Sequence, residues 1–446
     1  MKNNYHFAIA GFILYVLLII QGSCTVLESI ALGFSLFSFL NLMHEIGRSF
    51  PIREFMAFIA VLQLLLMPTL EILQDSNVLM VQSEEYLAFA VPVTILFSIG
   101  VQMPLFKLPE PISFLENVQE YLRDKREVTV LLFSIGLVAW FLSDSLPLQY
   151  KAVFRLLTIC THASVLYSIY TPGKLRFYII SATLAAILLQ TIREGMFGEL
   201  VNWTTLWIMI ISVGTSWGQS TRIKSLAVIA GLFVIIIIQS IKLEYRLLTW
   251  GETQKDRNGD ASLLWSLVTN RINNSSTLLE TGILNASLRR FNQGYILSHV
   301  MAYVPHNEPF GNGEVIMHLS YPFIPRLFWD DKPITGGAAN IKRYTSLQIS
   351  DNTSSNISPV GEAYINFGYS GGLLFIFLFG LLLNYCFHKV LDLARTRPTL
   401  ILWIPCLFIG SLTMETDILT TWGSFASMAI FLTALWHTMK RLTISI

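Results

Sequence analysis

Long runs of apolar residues recur along most of the chain, and short polar segments separate them. A bilayer core of about 30 Å requires roughly 20 mostly apolar residues per helix. By this measure the sequence predicts an all-α, polytopic membrane protein. About twelve transmembrane helices are expected, near residues 7–22, 25–43, 55–72, 86–104, 129–143, 152–170, 176–192, 203–217, 224–241, 370–387, 399–414 and 421–438.

The basic residues between these runs predict the orientation. Loops rich in Lys and Arg lie on the cytoplasmic side of a membrane. If both termini are cytoplasmic, the short outer loops contain only Lys151 and Arg193. The inner side then holds sixteen basic residues: Lys2, Arg48, Arg53, Lys107, Arg123, Lys125, Arg126, Lys174, Arg176, Arg222, Lys224, Lys389, Arg395, Arg397, Lys440 and Arg441.

One long polar stretch, residues 242–369, divides the chain into three regions. It follows a nine-span region, residues 1–241, and precedes a three-span region, residues 370–446, and the topology places it outside the membrane as a periplasmic loop domain. It carries 11 basic and 11 acidic residues. A structureless loop of this length would be unusual, so a mainly helical domain is expected. The apolar spacing predicts amphipathic helices over residues 263–268 and 279–301.

Composition supports the membrane prediction and excludes several classes of protein. Hydrophobic residues make up 53% of the chain and charged residues 13%, whereas a soluble domain has about a quarter of its residues charged. This excludes a soluble enzyme, a disordered chain and a fibrous protein. The net charge of +1 gives no overall field that attracts nucleic acid. Four cysteines without paired spacing exclude a disulfide scaffold.

Candidate chemistry concentrates in three segments of the outer domain. The first contains Arg289 and Arg290, within the second predicted helix. The second is a proline-rich segment, residues 322–333, and the third contains Glu362, directly before the tenth span. Arginine donates two parallel hydrogen bonds to phosphate oxygens, and a glutamate in a partly dehydrated pocket can act as a general base. Together these types favour a reaction on a lipid-linked pyrophosphate, to which Arg193 at an outer helix end could contribute.

Each of these residues also has a plain structural interpretation, since a surface Arg or Glu is most often solvated or ion-paired. Asp330 and Asp331 could chelate a metal, but an adjacent acidic pair before Lys-Pro is typical of a turn. The loop histidines lack the spacing of a helical zinc site, so no metal site is expected. His318 stays a candidate base. Glu415 and Asp417, at an outer turn, are candidates for lining the same cavity.

The order of these motifs resembles the Wzy-type O-antigen polymerases, a family of bacterial oligosaccharide repeat-unit polymerases. The similarity covers roughly residues 285–375, and the remainder matches only in span count and topology. An Arg-x10-Gly element of the family fits Arg326 to Gly337, whereas Thr204 occupies the glycine position after Arg193. The residues that carry the resemblance are Pro325, Arg326, Trp329, Lys332, Pro333, Gly361, Glu362, Tyr364, Asn366, Phe367, Gly368 and Gly371.

The resemblance implies a glycosyltransferase that polymerises polyprenyl-pyrophosphate-linked oligosaccharide repeat units at the outer face of the bacterial inner membrane. Catalysis would fall to Glu362, Arg326 and Arg290. The expected substrate-binding residues are Arg289, Arg193, Lys332, Trp329, Tyr364, Asn366 and His318. No cofactor is expected, and no nucleic-acid partner. Membrane lipid, a chain-length regulator and a flippase are the partners that the resemblance implies.

Three other functions compete with this interpretation. An O-antigen ligase would share the donor and the general layout but transfer finished polymer to a lipid-A core. A flippase or other transporter would also have about twelve spans with both ends inside, although transporters more often place ionisable residues at the midplane. A membrane scaffold without chemistry is the third alternative.

Overall fold

The computed structural model describes residues 5–75, 77–106, 110–143, 145–250, 259–274, 289–324, 329, 337–350 and 355–442. These residues form helices and turns and contain no β-strand, which confirms the predicted all-α class.

The α-helices are α1 (Tyr5–Gln21), α2 (Val26–Glu45), α3 (Ile52–Val61), α4 (Met67–Gln74), α5 (Ser83–Gln102), α6 (Pro111–Leu122), α7 (Arg126–Ser143), α8 (Leu148–Tyr170), α9 (Leu175–Glu194), α10 (Gly198–Ser212), α11 (Ser216–Gln219), α12 (Thr221–Thr249), α13 (Ala261–Asn273), α14 (Gly294–Tyr303), α15 (Glu314–His318), α16 (Gly337–Tyr344), α17 (Pro359–Ala394), α18 (Ile404–Phe408) and α19 (Ile418–Arg441).

Helical turns of other kinds interrupt or extend this series. A π-helical turn (Leu62–Leu66) joins α3 to α4, so that Ile52–Gln74 is one continuous helix. Short 3-10 turns occupy Tyr321–Phe323, Pro398–Trp403 and Ile409–Ser411.

Nine helices in the described part of the chain are long and apolar enough to cross a membrane, as judged by length and composition. Each coincides with one of the predicted runs, so the structure is compatible with a membrane-embedded protein. They are Val26–Glu45, Ile52–Gln74, Ser83–Gln102, Arg126–Ser143, Val153–Tyr170, Leu175–Glu194, Thr221–Thr249, Pro359–Ala394 and Ile418–Arg441.

The other three predicted runs form shorter helices. The first run is the 17-residue α1. The run at 203–217 lies partly in the 15-residue α10. This helix ends at Ser212, shortly before Gly214, which has a positive φ of 74°. The run at 399–414 is broken into 3-10 and α-helical pieces within Pro398–Ser411. The structure therefore gives nine candidate spans among its described residues, and the larger number stays a prediction.

The centre of the helix bundle is the packing of α5 against α17. A Cβ atom at Gly100 would lie 2.6 Å from the carbonyl oxygen of Phe377, and one at Gly380 would lie 2.9 Å from that of Phe97. Small residues at these crossing points let the two backbones approach closely, which is how helices associate in a membrane. This contact fixes α17, the helix that carries Glu362.

α17 changes direction at Gly368. Its φ and ψ are 63° and −157°, which are not helical and are essentially accessible only to glycine. The kink separates the first turns of α17 from its long apolar part. The segment 361–368, which the sequence places before the tenth span, is therefore part of a short helical piece at the N-terminal end of α17, on the other side of the kink from the long apolar part.

The long helix before the polar stretch ends later than the sequence predicts. α12 continues through Thr249, past the predicted span end at residue 241, and α13 packs on this extension through Leu267, Ile241 and Tyr245. α13 confirms the first predicted amphipathic helix. For the second, residues 275–288 lie outside the described residues, residues 289–291 are helical, and α14 begins at Gly294 after a break at residues 292–293.

The sequence of residues 111–126 has Phe114, Leu115, Val118, Tyr121 and Leu122 on one helix face, followed by a basic run, and so predicts a helix that lies on the inner membrane surface. The structure gives this helix a different environment. The apolar residues of α6 were expected to lie on lipid, but Phe114, Val118 and Leu122 are buried. They belong to the main hydrophobic core, and α6 packs against Pro398–Trp403 and α8. The helix is thus part of the bundle, because its apolar face finds protein partners.

Candidate functional site

A short turn between α18 and α19, residues 414–418, connects the candidate residues. At one end the backbone N–H of Met414 donates to Oε1 of Gln63 at 2.7 Å. At the other end the N–H of Ile418 donates to Oε2 of Glu362, also at 2.7 Å. The turn thereby joins the π-helical part of the Ile52–Gln74 helix to the first turn of α17.

Glu362 lies at the N-terminus of α19. The side chain is 5% exposed, and Ile418, whose N–H it accepts, is the first residue of that helix. The N-terminal end of a helix carries a partial positive charge that stabilises a carboxylate. Oε1 of Glu362 accepts no hydrogen bond from the described residues, so this oxygen is available to a substrate hydroxyl.

Asp417 supplies a second carboxyl group beside Glu362. Its Oδ1 accepts from the N–H of Thr420 at 2.6 Å and so caps α19. The residue is 3% exposed, and its charge acts on Glu362. Asp417 therefore has a structural task of its own, as the cap of α19.

Arg290 is held beside this pair by Glu415. An NH2 group of Arg290 donates to Oε2 of Glu415 at 3.2 Å, and Nε2 of Gln63 donates to the other carboxylate oxygen at 2.9 Å. The Arg290 side chain is half exposed. Glu415 and Ile418 are three residues apart, so their Cα atoms are separated by at most about 11 Å. The ion pair and Glu362 consequently share one small region.

Two cations of α12 belong to the same region. Lys242 lies within electrostatic range of Arg290, Arg246 and Glu415. Arg246 donates from Nε to the carbonyl oxygen of Gly195 at 3.0 Å. Lys242, Arg246 and Arg290 thus lie near Glu415, in a region that also contains the carboxyl groups of Glu362 and Asp417.

The chain segment that carries Arg290 is anchored to the membrane helices. Nδ2 of Asn292 donates to Oε2 of Glu71 at 2.9 Å, and the N–H of Gln293 donates to the carbonyl oxygen of Gln63 at 3.0 Å. Glu71 is 6% exposed. π-helical turns such as that containing Gln63 are frequent at functional sites. Gln63 and Glu71 were not predicted, although two polar residues within an apolar run were a usable signal.

Asn366 and Tyr364 support the site through protein contacts. Nδ2 of Asn366 donates to the carbonyl oxygen of Glu362 at 2.9 Å, and its Oδ1 accepts from the N–H of Val315 at 3.2 Å. The Tyr364 ring packs edge-on against Phe89 at 5.1 Å between centroids. Both predicted substrate-binding residues hold the first turns of α17 in place.

His318 and Trp329 lie in an aromatic group above α19. The ring of Tyr321 is 5.2 Å from that of His318 and 5.0 Å from that of Trp329. Nε1 of Trp422, one turn into α19, donates to the carbonyl oxygen of Leu319 at 2.8 Å. Nδ1 of His318 is buried and has no hydrogen-bond partner within the described ranges.

The remaining predicted residues are dispersed. Arg289 is exposed, next to Arg290. Arg193 lies in the last turn of α9. Gly259 packs closely against its backbone, since a Cβ atom at Gly259 would lie 2.5 Å from the Cα of Arg193. Two predicted cations, Arg326 and Lys332, lie outside the described residues, as does the acidic pair at 330–331.

Tyr344 is a further residue that the sequence did not reveal. Burial raises the pKa of its phenol, and the carboxylates of Glu314, Glu308 and Glu362 act in the same direction against Arg343. The phenol is therefore protonated at neutral pH and can donate a hydrogen bond. Its electrostatic interaction with Glu362 places it near the site.

No group of three or more His, Cys, Asp or Glu side chains suited to a metal ion occurs within the described ranges.

The comparisons with known proteins give one match. A family model described as a domain of unknown function, DUF8712, matches residues 112–393, more than half of the chain. No curated protein and no solved structure matches the chain.

Proposed function

The chain belongs to the DUF8712 family, a family of unknown function, and we propose that this member is a glycosyltransferase of the inner membrane. The reaction is the polymerisation of polyprenyl-pyrophosphate-linked oligosaccharide repeat units, at the outer face of the bacterial cytoplasmic membrane. The product is a surface polysaccharide such as O-antigen.

One observation carries this proposal. The turn 414–418 binds a buried carboxylate, Glu362, at one end and an arginine ion pair, Arg290 with Glu415, near the other. The two turn residues that bind them, Ile418 and Glu415, have Cα atoms at most about 11 Å apart, so the proposed base and Arg290 are attached to the same short turn. Transfer of a sugar from a pyrophosphate donor requires these two functions, one for the attacking hydroxyl and one for the leaving group.

The proposed mechanism assigns a task to each group. Glu362 removes the proton from an acceptor sugar hydroxyl while the hydroxyl oxygen forms a bond to the anomeric carbon of the donor. The bond from that carbon to the pyrophosphate breaks, and its electron pair leaves with polyprenyl pyrophosphate. Arg290 and Lys242 stabilise the developing negative charge. Arg289, Arg193, Arg326 and Lys332 are further candidates for binding the donor.

The proposal includes a topology. Twelve spans with both termini in the cytoplasm place the segment 289–324 and the N-terminal ends of α17 and α19 in the periplasm. The three shorter helical regions, α1, α10 and Pro398–Ser411, would complete the nine candidate spans. The distribution of Lys and Arg supports this arrangement.

The test is Glu362→Gln in membranes that contain equal amounts of protein. The amide keeps the shape and the acceptor oxygen for the N–H of Ile418 but cannot take a proton. We expect chain elongation to fall by about 10²- to 10⁴-fold, measured as the length distribution of lipid-linked glycan. Glu116→Gln, on the exposed side of α6, is the matched control and should elongate normally.

Two outcomes would contradict the proposal. Full-length polymer from Glu362→Gln would remove the proposed base. Accumulation of free lipid-linked polymer in cells without the protein would indicate a ligase, because loss of a polymerase leaves single repeat units instead.

A further inference from the structure

Gln63 is a polar residue buried within an apolar run. It lies in the π-helical turn Leu62–Leu66 of the candidate span Ile52–Gln74, and it is 2% exposed. Burying an amide side chain is unfavourable unless its donor and its acceptor both find partners. The partners of Gln63 therefore show why an amide is kept at this position.

The side-chain amide of Gln63 binds the turn 414–418 through both of its polar atoms. Oε1 accepts from the N–H of Met414 at 2.7 Å, and Nε2 donates to Oε1 of Glu415 at 2.9 Å. Two bonds to adjacent residues fix both the position and the orientation of the turn. They also require an amide, because one atom has to accept from Met414 while the other donates to Glu415.

The backbone carbonyl of Gln63 binds the segment before α14. In an α-helix the carbonyl of residue i accepts from the N–H of residue i+4. Here the N–H of Met67 donates to the carbonyl of Leu62, and Pro68 has no N–H. The carbonyl of Gln63 therefore finds no donor at these two positions of its own helix, and it accepts from the N–H of Gln293 at 3.0 Å.

Gln63 thus connects the two chemical parts of the site. The turn 414–418 supplies the N–H that Glu362 accepts, and the segment before α14 carries Arg290. Hydrogen bonds from one buried residue reach both parts, so its place in the helix sets where the proposed base stands relative to the cation. A displacement of about 1 Å in such an arrangement can lower a rate by about 10²-fold.

We infer that Gln63 is a positioning residue, which holds the turn 414–418 so that Glu362 and Arg290 act on the same substrate. This inference rests on the proposed function for the reaction that the residue serves. Gln63 acts through its neighbours Met414 and Glu415 and not on the reacting atoms.

The first variant is Gln63→Met, which keeps the length of the side chain and removes both of its hydrogen bonds. We expect kcat for elongation to fall by about 10- to 100-fold. KM should change little, because the variant retains the backbone carbonyl that binds Gln293. Elongation rates of the purified protein in proteoliposomes, measured at several donor concentrations and normalised to the folded fraction, give both constants.

Gln102→Met is the matched control. Gln102, in α5, accepts a hydrogen bond from Nδ2 of Asn41 at 3.0 Å, so this variant also removes a glutamine contact between two candidate spans. It should elongate with the kcat of the wild type. An equal fall in kcat for Gln102→Met and Gln63→Met would overturn the inference, because the loss of any such contact would then slow the protein.

An exchange of the two side chains separates positioning from stability. Gln63→Glu alone places two carboxylates where a donor and an acceptor lie 2.9 Å apart, and it should elongate more slowly than the wild type. Combining Gln63→Glu with Glu415→Gln restores an amide facing a carboxylate, with the direction of the bond reversed. Acceptor oxygens for the N–H of Met414 and for Arg290 are also kept.

The double variant should therefore recover about tenfold in kcat relative to Gln63→Glu. A double variant no faster than Gln63→Glu would overturn the inference. If Gln63→Met does not fold, this comparison decides.

Amide hydrogen exchange tests the contact without reference to elongation. The N–H groups of Met414 and Ile418 lie at the two ends of the turn. In Gln63→Met the peptide that contains them should exchange about tenfold faster than in the wild type, and the double variant should return towards the wild-type rate. Unchanged exchange in Gln63→Met would overturn the inference, whatever its kcat.

Failure of this inference is distinguishable from failure of the proposed function. If the wild-type protein elongates nothing, the proposed function fails, and the exchange rates still show whether Gln63 holds the turn. If the wild type elongates and Gln63→Met elongates equally fast, the positioning role fails alone.

Discussion

At the scale of single residues, the site combines groups that the sequence suggests with groups that only the fold brings near. Glu362, Glu415 and Asp417 were identifiable as candidates because each is a charged residue beside a membrane run, and Arg290 because it is one of two adjacent arginines in a predicted loop helix. Lys242 was not, because in the sequence it is only the first charged residue after the predicted span 224–241. Its distance from Arg290 along the chain is large, and only the position of α12 brings the two together.

Lys242 provides a test of the anion site. Lys242→Met keeps the length of the side chain and removes its charge. We expect the KM for the lipid-linked donor to rise by about tenfold or more, since a hydrogen bond to a charged group typically contributes this much, while kcat changes less. Steady-state elongation rates at several donor concentrations measure this.

The matched control is Lys151→Met, which removes a cation from the outer end of α8. It should leave KM unchanged. An equal rise in KM for both variants would mean that the effect is one of general surface charge, and Lys242 would have no specific contact with the donor.

At the scale of elements, most long helices were predictable because each apolar run is long enough to decide its own structure. Helix ends were less predictable. α12 continues to Thr249 because its extension buries Tyr245 against α13, a contact between segments that the sequence does not place together. Similarly, the apolar face of α6 was expected to lie on lipid, because the sequence does not show which protein surface would cover it, and the bundle provides that partner.

The kink of α17 at Gly368 gives a second test. Its φ of 63° and ψ of −157° form a conformation that costs a residue with a Cβ about 1–3 kcal/mol. Gly368→Ala should therefore lower the unfolding free energy by about that amount and reduce elongation, because Glu362 lies in the turns before the kink. Thermal unfolding in detergent, followed by elongation assays, measures both effects.

Gly231→Ala is the control for this substitution. Gly231 lies in α12, and a Cβ there would meet no atom within 4 Å. It should leave the protein equally or slightly more stable, since alanine favours a helix. Equal melting temperatures for the two variants would contradict the strained conformation assigned to Gly368.

At the scale of the whole molecule, the account depends on which side of the membrane each segment faces. The structure contains nine candidate spans in its described part, and the positive-inside pattern supplies the orientation. The apolar runs predicted the candidate spans, whereas the orientation stays a prediction that rests on the distribution of Lys and Arg. The site depends on a few contacts, such as that between Ile418 and Glu362, which no local pattern encodes.

Cysteine labelling tests the orientation. In a variant without its four native cysteines, Cys replaces Asn307 before α15 or Ser113 on α6, which are both exposed. A membrane-impermeant maleimide added to cells with a permeabilised outer membrane should label the first position and not the second. Labelling of the second alone would place the candidate site in the cytoplasm and exclude the proposed topology.

The central claim is that this chain by itself joins lipid-linked repeat units. The most direct measurement uses purified protein in proteoliposomes, supplied only with a polyprenyl-pyrophosphate-linked oligosaccharide. The account predicts a ladder of products, each longer by one repeat unit, together with released polyprenyl pyrophosphate, and no ladder from Glu362→Gln. If correctly folded wild-type protein leaves the substrate as single repeat units, the claim is wrong.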